Sequence, residues 1–155
     1  MWLAQQGWQV TAVDLSDVGL AKADQLAAVG GDVVTMVCAE PTAYTPPPNG
    51  FDLVAVVYLH LPASLRHAVY RRVTDGVALG GTMLVVGHDA TNPTDGYGGS
   101  QNPDVLFTPD DVVADLADGG LLVEKAERVL RPATTEDGTR VGIDALVRAR
   151  RPEEL

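Results

Sequence analysis

The stretch Gln9-Val10-Thr11-Ala12-Val13-Asp14-Leu15-Ser16 contains a short apolar strand that ends on an acid, followed by a serine suited to cap a helix. The next residues, 19–28, carry apolar side chains at helical spacing and stop at Gly30-Gly31, a glycine pair typical of helix ends. A strand that leads through an acid into a helix is the opening unit of an alternating α/β fold.

Further strands and helices alternate along the chain. Apolar runs predict three more strands, at residues 33–38, 51–57 and 82–87. Helices are predicted over residues 62–77 and from a cap at Thr108 to the glycines at 119–120. This order predicts a mostly parallel sheet with helices on its faces, in a single domain over residues 1–155.

The C-terminal part departs from this alternation. Residues 121–129 and 140–149 predict two strands joined by a turn around Glu136-Asp137-Gly138, so they should pair as an antiparallel hairpin. A long loop is expected over residues 88–107, which are rich in Gly, Asn, Asp and Pro, and its residues 92–102 are expected to cover a substrate.

The composition argues against nucleic acid and membrane as partners. The net charge is −10, and the 11 basic residues are scattered apart from Arg148-Ala149-Arg150-Arg151. No apolar run approaches the roughly 20 residues that cross a bilayer, and the N-terminus does not resemble a signal peptide, so a cytoplasmic protein is expected. The single cysteine, Cys38, excludes an intramolecular disulfide, and its apolar surroundings predict a buried thiol.

Polar or ionisable residues stand at the end of each of the four predicted parallel strands. These residues are Asp14, Glu40, Tyr58, His60, His88 and Asp89. Because ligands of such sheets bind at the carboxyl ends of the strands, we expect them to ring one crevice. An acid such as Asp14 accepts hydrogen bonds from the ribose hydroxyls of an adenine nucleotide; the alternative is an acid that caps a helix or holds a turn.

Three parts of the sequence resemble class I S-adenosylmethionine-dependent methyltransferases, most closely the tellurite-resistance and thiopurine methyltransferase-like branch. They are residues 2–16 with 20–23, residues 51–54 with Tyr58-Leu59-His60-Leu61-Pro62, and residues 79–88. Together these parts cover most of the chain. The resemblance implies a Rossmann-like fold and S-adenosyl-L-methionine as the cofactor.

The resemblance also implies roles by position. The residues that would contact the cofactor are Asp14, Leu15, Ser16, Ala39, Glu40 and Tyr58. Among them, Asp14 would bind the ribose, and Glu40, where the family more often has Asp, would meet the adenine amino group. Leu59 would line the substrate side.

The sequence departs from the family at its N-terminus. The family has a first strand and a Gly-x-Gly loop before the helix that ends here at Gly7, and the chain lacks both. That strand would lie between the strands that end at Asp14 and Tyr58. The departure implies unpaired sheet edges, through which a homodimer could form, and weak or absent cofactor binding. Whether the chain is an enzyme is left open by the sequence.

The chemistry of methyl transfer suggests which side chains would act. The acceptor must be held in line, and a base helps only where the acceptor loses a proton. His60 and His88 are the candidate bases, since histidine titrates near neutral pH. The alternatives are a pocket-wall role for His60 and a turn held by local hydrogen bonds for His88-Asp89. Tyr97 and Arg131 are, with Asp89, further candidates for contact with the substrate. No tight metal-ligand spacing is present, so no metal is expected.

The acceptor expected from the sequence is a small molecule. The acidic charge favours it, and so does the absence of an Asn/Asp-Pro-Pro-Tyr motif after the third strand. Two other interpretations compete with a methyltransferase. One is a nucleotide-binding oxidoreductase domain, which shares the acid after its strand. The other is a cofactor-free remnant that assembles through its sheet edges without catalysis.

Overall fold

The computed structural model describes residues 1–153. The chain divides into two compact units, of which the first is Met1–Tyr44 and the second begins at Thr45. Each unit has its own sheet: a two-stranded one in the first unit and a four-stranded one in the second.

The first unit contains the strand–acid–helix segment with which the fold begins. Its elements are helix α1 (Trp2–Gln5), strand β1 (Val10–Asp14), helix α2 (Asp17–Gly30) and strand β2 (Val34–Cys38). Strands β1 and β2 are parallel, with Asp14 opposite Cys38 at the carboxyl end. The Ser16 hydroxyl accepts a hydrogen bond from the Gly19 amide at 3.0 Å, and Gly31 ends α2 in the left-handed conformation at φ 72°. The predicted cap and glycine stop are therefore confirmed.

The second unit contains the remaining strands, which together form one mixed sheet. Its elements are strand β3 (Phe51–Val57), helix α3 (Ala63–Thr74), strand β4 (Val77–His88), helix α4 (Asn92–Asp95), a 3-10 turn (Pro103–Val105), helix α5 (Pro109–Leu116), strand β5 (Leu122–Thr135) and strand β6 (Gly138–Arg150). The strand order is β3-β4-β6-β5. Strand β3 runs parallel to β4, whereas β6 pairs antiparallel with both β4 and β5.

The core of the second unit lies against the faces of this sheet. From Gly81 onward, residues along β4 are alternately buried and half-buried, because successive side chains of a strand point to opposite faces. Met83 and Val85 of β4 pack with Tyr70 of α3, Val112 of α5 and Phe107, and all five are at most 2% exposed. The packed helices and the sheet ladder together fix the ends of β3 and β4.

The α/β fold with parallel strands and a C-terminal antiparallel hairpin is confirmed. The capping box predicted at Thr108 is also present, since Thr108 and Asp111 exchange hydrogen bonds between side chain and backbone. Among residues 1–153, β1 has β2 as its one strand partner and β3 has β4. No helix in these residues is both long and apolar enough to span a membrane.

Three expectations about local structure were wrong. The helix predicted over residues 62–77 ends at Thr74, because Val77 already pairs with Phe51 in the β3–β4 ladder. The predicted loop over residues 88–107 contains α4 and the 3-10 turn. The Cys38 thiol is exposed, since it lies at the very end of β2, where its sulfur contacts the Leu15 carbonyl oxygen at 3.7 Å.

Candidate functional site

Asp144, in the middle of β6, binds three polar side chains at one place. Its Oδ2 accepts hydrogen bonds from the Tyr58 hydroxyl at 2.7 Å and from Nε of Arg131 at 2.9 Å. Its Oδ1 lies 3.1 Å from Nδ1 of His88. The Asp144 side chain is 2% exposed. Its three partners replace the hydrogen bonds to water that a carboxylate loses when it is buried.

The strand ladders bring these four residues together. His88 at the end of β4 is the direct cross-strand partner of Asp144. Arg131 of β5 is opposite Gly142 of β6, two residues before Asp144, so both side chains lie on the same face of the sheet. Gly142 leaves room for the Arg131 guanidinium there, because a Cβ at this position would lie 2.5 Å from a terminal nitrogen of Arg131.

Tyr58 leaves β3 in a conformation that is uncommon for a residue with a side chain. Its φ is 51°, in the left-handed region, while its amide still donates to the Val86 carbonyl at 2.7 Å. Burial and the hydrogen bond to Asp144 raise the pKa of Tyr58 above its ordinary value. The phenol therefore stays protonated and acts as a donor to Asp144.

His60 and His88 form a stacked pair, but their nitrogens differ in what they contact. The ring centroids are 4.8 Å apart with an interplanar angle of 15°. Nε2 of His60 accepts a hydrogen bond from the His88 amide at 3.1 Å. Burial, and then the neighbouring His88, lower the pKa of His60. His60 is therefore neutral, and the lone pair on its Nε2 already accepts the hydrogen bond from the His88 backbone amide.

An open pocket of about 370 Å³ lies beside this cluster. It is lined by Tyr58, His88, Tyr97, Gly98, Gly99, Arg131 and Ala133. Gly99 has a φ of 79°, and a Cβ added to it would overlap the His88 ring around Nε2 and Cδ2. Glycine at this position therefore lets the loop pack closely against the His88 ring.

The loop that carries Tyr97, Gly98 and Gly99 is held by one buried side chain. Nδ2 of Asn92 donates to the Gly98 carbonyl at 2.6 Å, and its Oδ1 accepts from the Ile143 amide of β6 at 2.7 Å. Asn92 is 1% exposed, so it fixes the loop to the strand that carries Asp144. The predicted covering loop thus contributes residues to the pocket wall.

Two of the predicted substrate residues do not line the pocket. Leu59 packs against the hydrophobic core, as its apolar side chain favours. Asp89 is fully buried, and its Oδ1 accepts from the amide and hydroxyl of Thr91 and from Nε of Arg128. The hydrogen bonds from Thr91 give Asp89 the geometry expected if His88-Asp89 forms a turn held by local hydrogen bonds. Tyr97 and Arg131, in contrast, are both in the pocket wall.

The predicted cofactor residues of the first unit lie at the carboxyl ends of β1 and β2. Oδ1 of Asp14 accepts from the Ser16 amide at 2.8 Å, so Asp14 does hold a turn. Its Oδ2 has no hydrogen-bond partner within the described residues, and Leu15 beside it is 60% exposed. Ala39 donates its amide to the Asp14 carbonyl, and Glu40 follows, exposed. A free carboxylate oxygen beside an exposed apolar side chain suits the ribose and adenine of S-adenosylmethionine.

Asp144 is the residue of this site that the sequence analysis missed. One signal for it exists: Asp144 interrupts the apolar strand Ile143-Asp144-Ala145-Leu146-Val147. A charged residue is rarely buried unless it is paired, so an acid inside such a strand indicates partners elsewhere in the fold.

The sequence matches the family model described as a methyltransferase domain over residues 1–81, more than half of the chain. The chain belongs to this methyltransferase family. No curated protein matches the sequence. Membership decides against the nucleotide-binding oxidoreductase that the sequence analysis weighed as an alternative.

Solved structures share the fold of this methyltransferase at low sequence identity. A protein studied for the conversion of a disulfide bond into a thioacetal group during echinomycin biosynthesis has a TM-score of 0.78 and 17% identity, over 99% of this chain and 70% of that one. A SAM-dependent methyltransferase from Methanosarcina mazei has a TM-score of 0.72 and 13% identity, over 99% and 86%. TehB from Haemophilus influenzae has a TM-score of 0.75 and 14% identity, over 97% and 52%.

The resemblance to class I methyltransferases is therefore confirmed at the level of family and fold. The family and the neighbours of the same fold support S-adenosyl-L-methionine as the cofactor.

Proposed function

We propose that this methyltransferase transfers a methyl group to a small-molecule acceptor bound in the pocket beside Asp144. One observation carries the proposal: a buried carboxylate orders Tyr58, His88 and Arg131 around an open pocket at the carboxyl ends of β3 and β4. Ligands of parallel α/β sheets bind at such strand ends.

The size and charge of the protein support a small acceptor. A pocket of about 370 Å³ is in the range that small-molecule ligands occupy. The net charge of −10 opposes a polyanionic acceptor, because nucleic-acid binding requires a basic surface. The exposed free thiol of Cys38 is compatible with a reducing compartment, and we propose that the reaction takes place in the cytoplasm.

The proposed roles of the residues follow their surroundings. S-adenosylmethionine supplies an electrophilic methyl group when it is bound. Asp14 is proposed to bind the ribose through its free Oδ2, with Leu15, Ser16, Ala39 and Glu40 around the adenine. In the second unit, Tyr58 is also proposed to contact the cofactor. His60 is proposed to support His88 through the backbone hydrogen bond and the ring stack.

Calorimetric titration with S-adenosylhomocysteine tests the cofactor part of the proposal. Asp14→Ala should weaken binding by about tenfold or more, since a hydrogen bond to a charged group contributes roughly 1.5–3 kcal/mol. Asp24→Ala, which removes an exposed acid in the middle of α2, serves as the matched control and should bind as the wild type does. No saturable heat from the wild-type chain would refute cofactor binding.

A screen of small methyl acceptors with radiolabelled cofactor then tests the acceptor part. Methyl transfer to at least one small molecule should be lost when the pocket is filled by Ala133→Trp. If this variant keeps the wild-type rate on every acceptor that is methylated, the pocket is not the acceptor site.

We also propose that the chain forms a homodimer through its sheet edges. Within residues 1–153, the outer edge of β3 has no strand partner, and such edges readily pair with another chain. Light scattering after gel filtration should show a dimer, and Ala55→Lys, which puts a charge on exposed β3, should shift it toward monomer. A wild-type chain that is monomeric at all concentrations would contradict this.

A further inference from the structure

We propose that His88, oriented by Asp144, is a general base that removes the proton from a phenolic hydroxyl on the acceptor. This inference rests on the proposed methyl transfer in the pocket beside Asp144, and it names the chemical class of the acceptor. Asp144 is a positioning residue in this scheme, because it acts through His88.

The hydrogen bond to Asp144 decides which nitrogen of His88 is available. A carboxylate accepts hydrogen bonds, so Nδ1 of His88, 3.1 Å from Oδ1, carries the ring proton. In the neutral ring the lone pair is then on Nε2. Nε2 has no hydrogen-bond partner within the described residues, and His88 is one of the residues that line the pocket. The basic nitrogen therefore belongs to a side chain of the pocket wall.

The other titratable groups around His88 are already engaged. His60 uses its Nε2 lone pair to accept from the His88 amide, and Tyr58 donates its proton to Asp144. Arg131 donates Nε to the same carboxylate. Among the groups that face His88 from β3, β5 and β6, none offers a free basic atom at the pocket, so the role of base falls to His88.

The acceptor class follows from the acidity that such a base can serve. Imidazole, with a pKa of about 6.5, is matched in acidity more closely to a phenol than to an aliphatic hydroxyl, and a thiol, with a pKa of about 8.5, ionises readily without help. Among oxygen and sulfur acceptors, a phenol, with a pKa of about 10, therefore gains most from a positioned base. The rings of Tyr58 and Tyr97 in the pocket wall suit an aromatic acceptor.

The proposed step balances as a displacement at carbon. The phenolic oxygen forms a bond to the methyl carbon, the carbon–sulfur bond breaks with its electron pair passing to sulfur, and the phenolic proton passes to Nε2 of His88. The imidazolium so formed is stabilised by Asp144, and His88 returns its proton to solvent after the product leaves. No oxidant, reductant or metal is consumed.

Nitrogen NMR of histidine-labelled protein tests the dyad without cofactor or acceptor. In the wild type at mildly alkaline pH, His88 should be the tautomer protonated at Nδ1. Asp144→Asn should populate the other tautomer, as happens when the aspartate of a serine-protease triad is amidated. An Nε2-protonated His88 in the wild type would overturn the proposal. So would a tautomer that Asp144→Asn leaves unchanged in a variant shown by circular dichroism to be folded.

Methyl transfer to two phenols of different acidity tests the base. At mildly alkaline pH, para-cresol is almost fully protonated and para-nitrophenol is largely ionised, so only the first needs a base. His88→Gln should slow transfer to para-cresol by roughly 10²- to 10⁴-fold. Transfer to para-nitrophenol should fall by less than about tenfold, because this phenol has already lost its proton and needs no base. Equal losses on both phenols would mean that His88 has only a structural role.

The experiments separate failure of this inference from failure of the proposed function. If the wild-type chain binds S-adenosylhomocysteine and methylates other small molecules but neither phenol, the phenolic class is wrong and the methyltransferase proposal stands. If it binds no S-adenosylhomocysteine, the proposed function fails, while the tautomer of His88 still reports on the dyad.

Discussion

His88 and Asp144 face each other across the ladder of β4 and β6, and Nδ1 of the histidine lies 3.1 Å from Oδ1 of the aspartate. The register of the two strands fixes the backbone positions from which both side chains extend. Tyr58 and Arg131 complete the set of donors on the same carboxylate. The site is thus built on strands, with the Gly98-Gly99 loop added at its edge.

Asp144→Asn should destabilise the protein. The substitution keeps the shape of the buried side chain but leaves its three partly exposed donors without their charged acceptor. We expect the free energy of unfolding to fall by about 1–3 kcal/mol, the usual result of leaving a buried polar group without its partner. Urea unfolding followed by circular dichroism measures the change. Asp118→Asn, an exposed acid after α5, is the control and should alter stability by less than about 0.5 kcal/mol.

Gly99→Ala should destabilise the protein more than Gly98→Ala. Both glycines are in the left-handed region, at φ 79° and 74°, where a Cβ costs about 1–2 kcal/mol. A Cβ at Gly98 meets open space, whereas one at Gly99 would overlap the His88 ring. Gly99→Ala should therefore lose a further 1–3 kcal/mol or so from overpacking. Thermal or urea unfolding of the two variants makes the comparison, and equal losses would show that Gly99 does not approach His88.

The burial of His60 predicts a pH dependence of stability. Its pKa is lowered in the folded chain, so the unfolded chain binds a proton in a range of pH where the folded chain does not. The contribution of neutral His60 to the free energy of unfolding is fully present above the unfolded pKa of about 6.5, and it is lost as the pH falls below that value. His60→Gln can still accept from the His88 amide but cannot titrate. The free energy of unfolding of this variant should fall less steeply from about pH 7 to pH 5 than that of the wild type. Parallel curves would contradict the low pKa.

Helix caps could be predicted from the sequence because their chemistry is local. Ser16 and Thr108 each accept a hydrogen bond from an amide three residues later, and both were identified as caps from their neighbours alone. The order of strands and the closing hairpin were also predictable, since apolar runs and turn residues lie within a few positions of one another.

The centre of the site could not be predicted in the same way. The three partners of Asp144 are 13, 56 and 86 positions away in the sequence. Only the register of β3 with β4, of β4 with β6 and of β5 with β6 brings them together. The same limit explains Asp89, which was placed correctly at the end of a strand. Its side chain turned inward because Arg128, 39 positions later, and the backbone of Thr91 bind it.

The ion pair between Arg66 of α3 and Asp115 of α5 was also beyond local reasoning, and it gives the last prediction. Nε of Arg66 lies 2.6 Å from Oδ2 of Asp115, and both residues are less than 9% exposed. The guanidinium also lies 5.3 Å from the centre of the Phe107 ring. Asp115→Ala would leave a buried cation unpaired and should lower the free energy of unfolding by about 3–5 kcal/mol.

A double-mutant cycle separates the loss of the pair from the burial of an unpaired charge. Arg66→Met combined with Asp115→Ala should be markedly less unstable than the sum of the two single variants, because the double variant buries no uncompensated charge. Glu127→Ala breaks an ion pair with Lys125 in which both side chains are 46% exposed, and it should cost less than about 1 kcal/mol. Additive losses in the cycle would mean that the Arg66–Asp115 contact contributes no coupling. In that case Arg66 would stabilise the helix pair through its packing on Phe107.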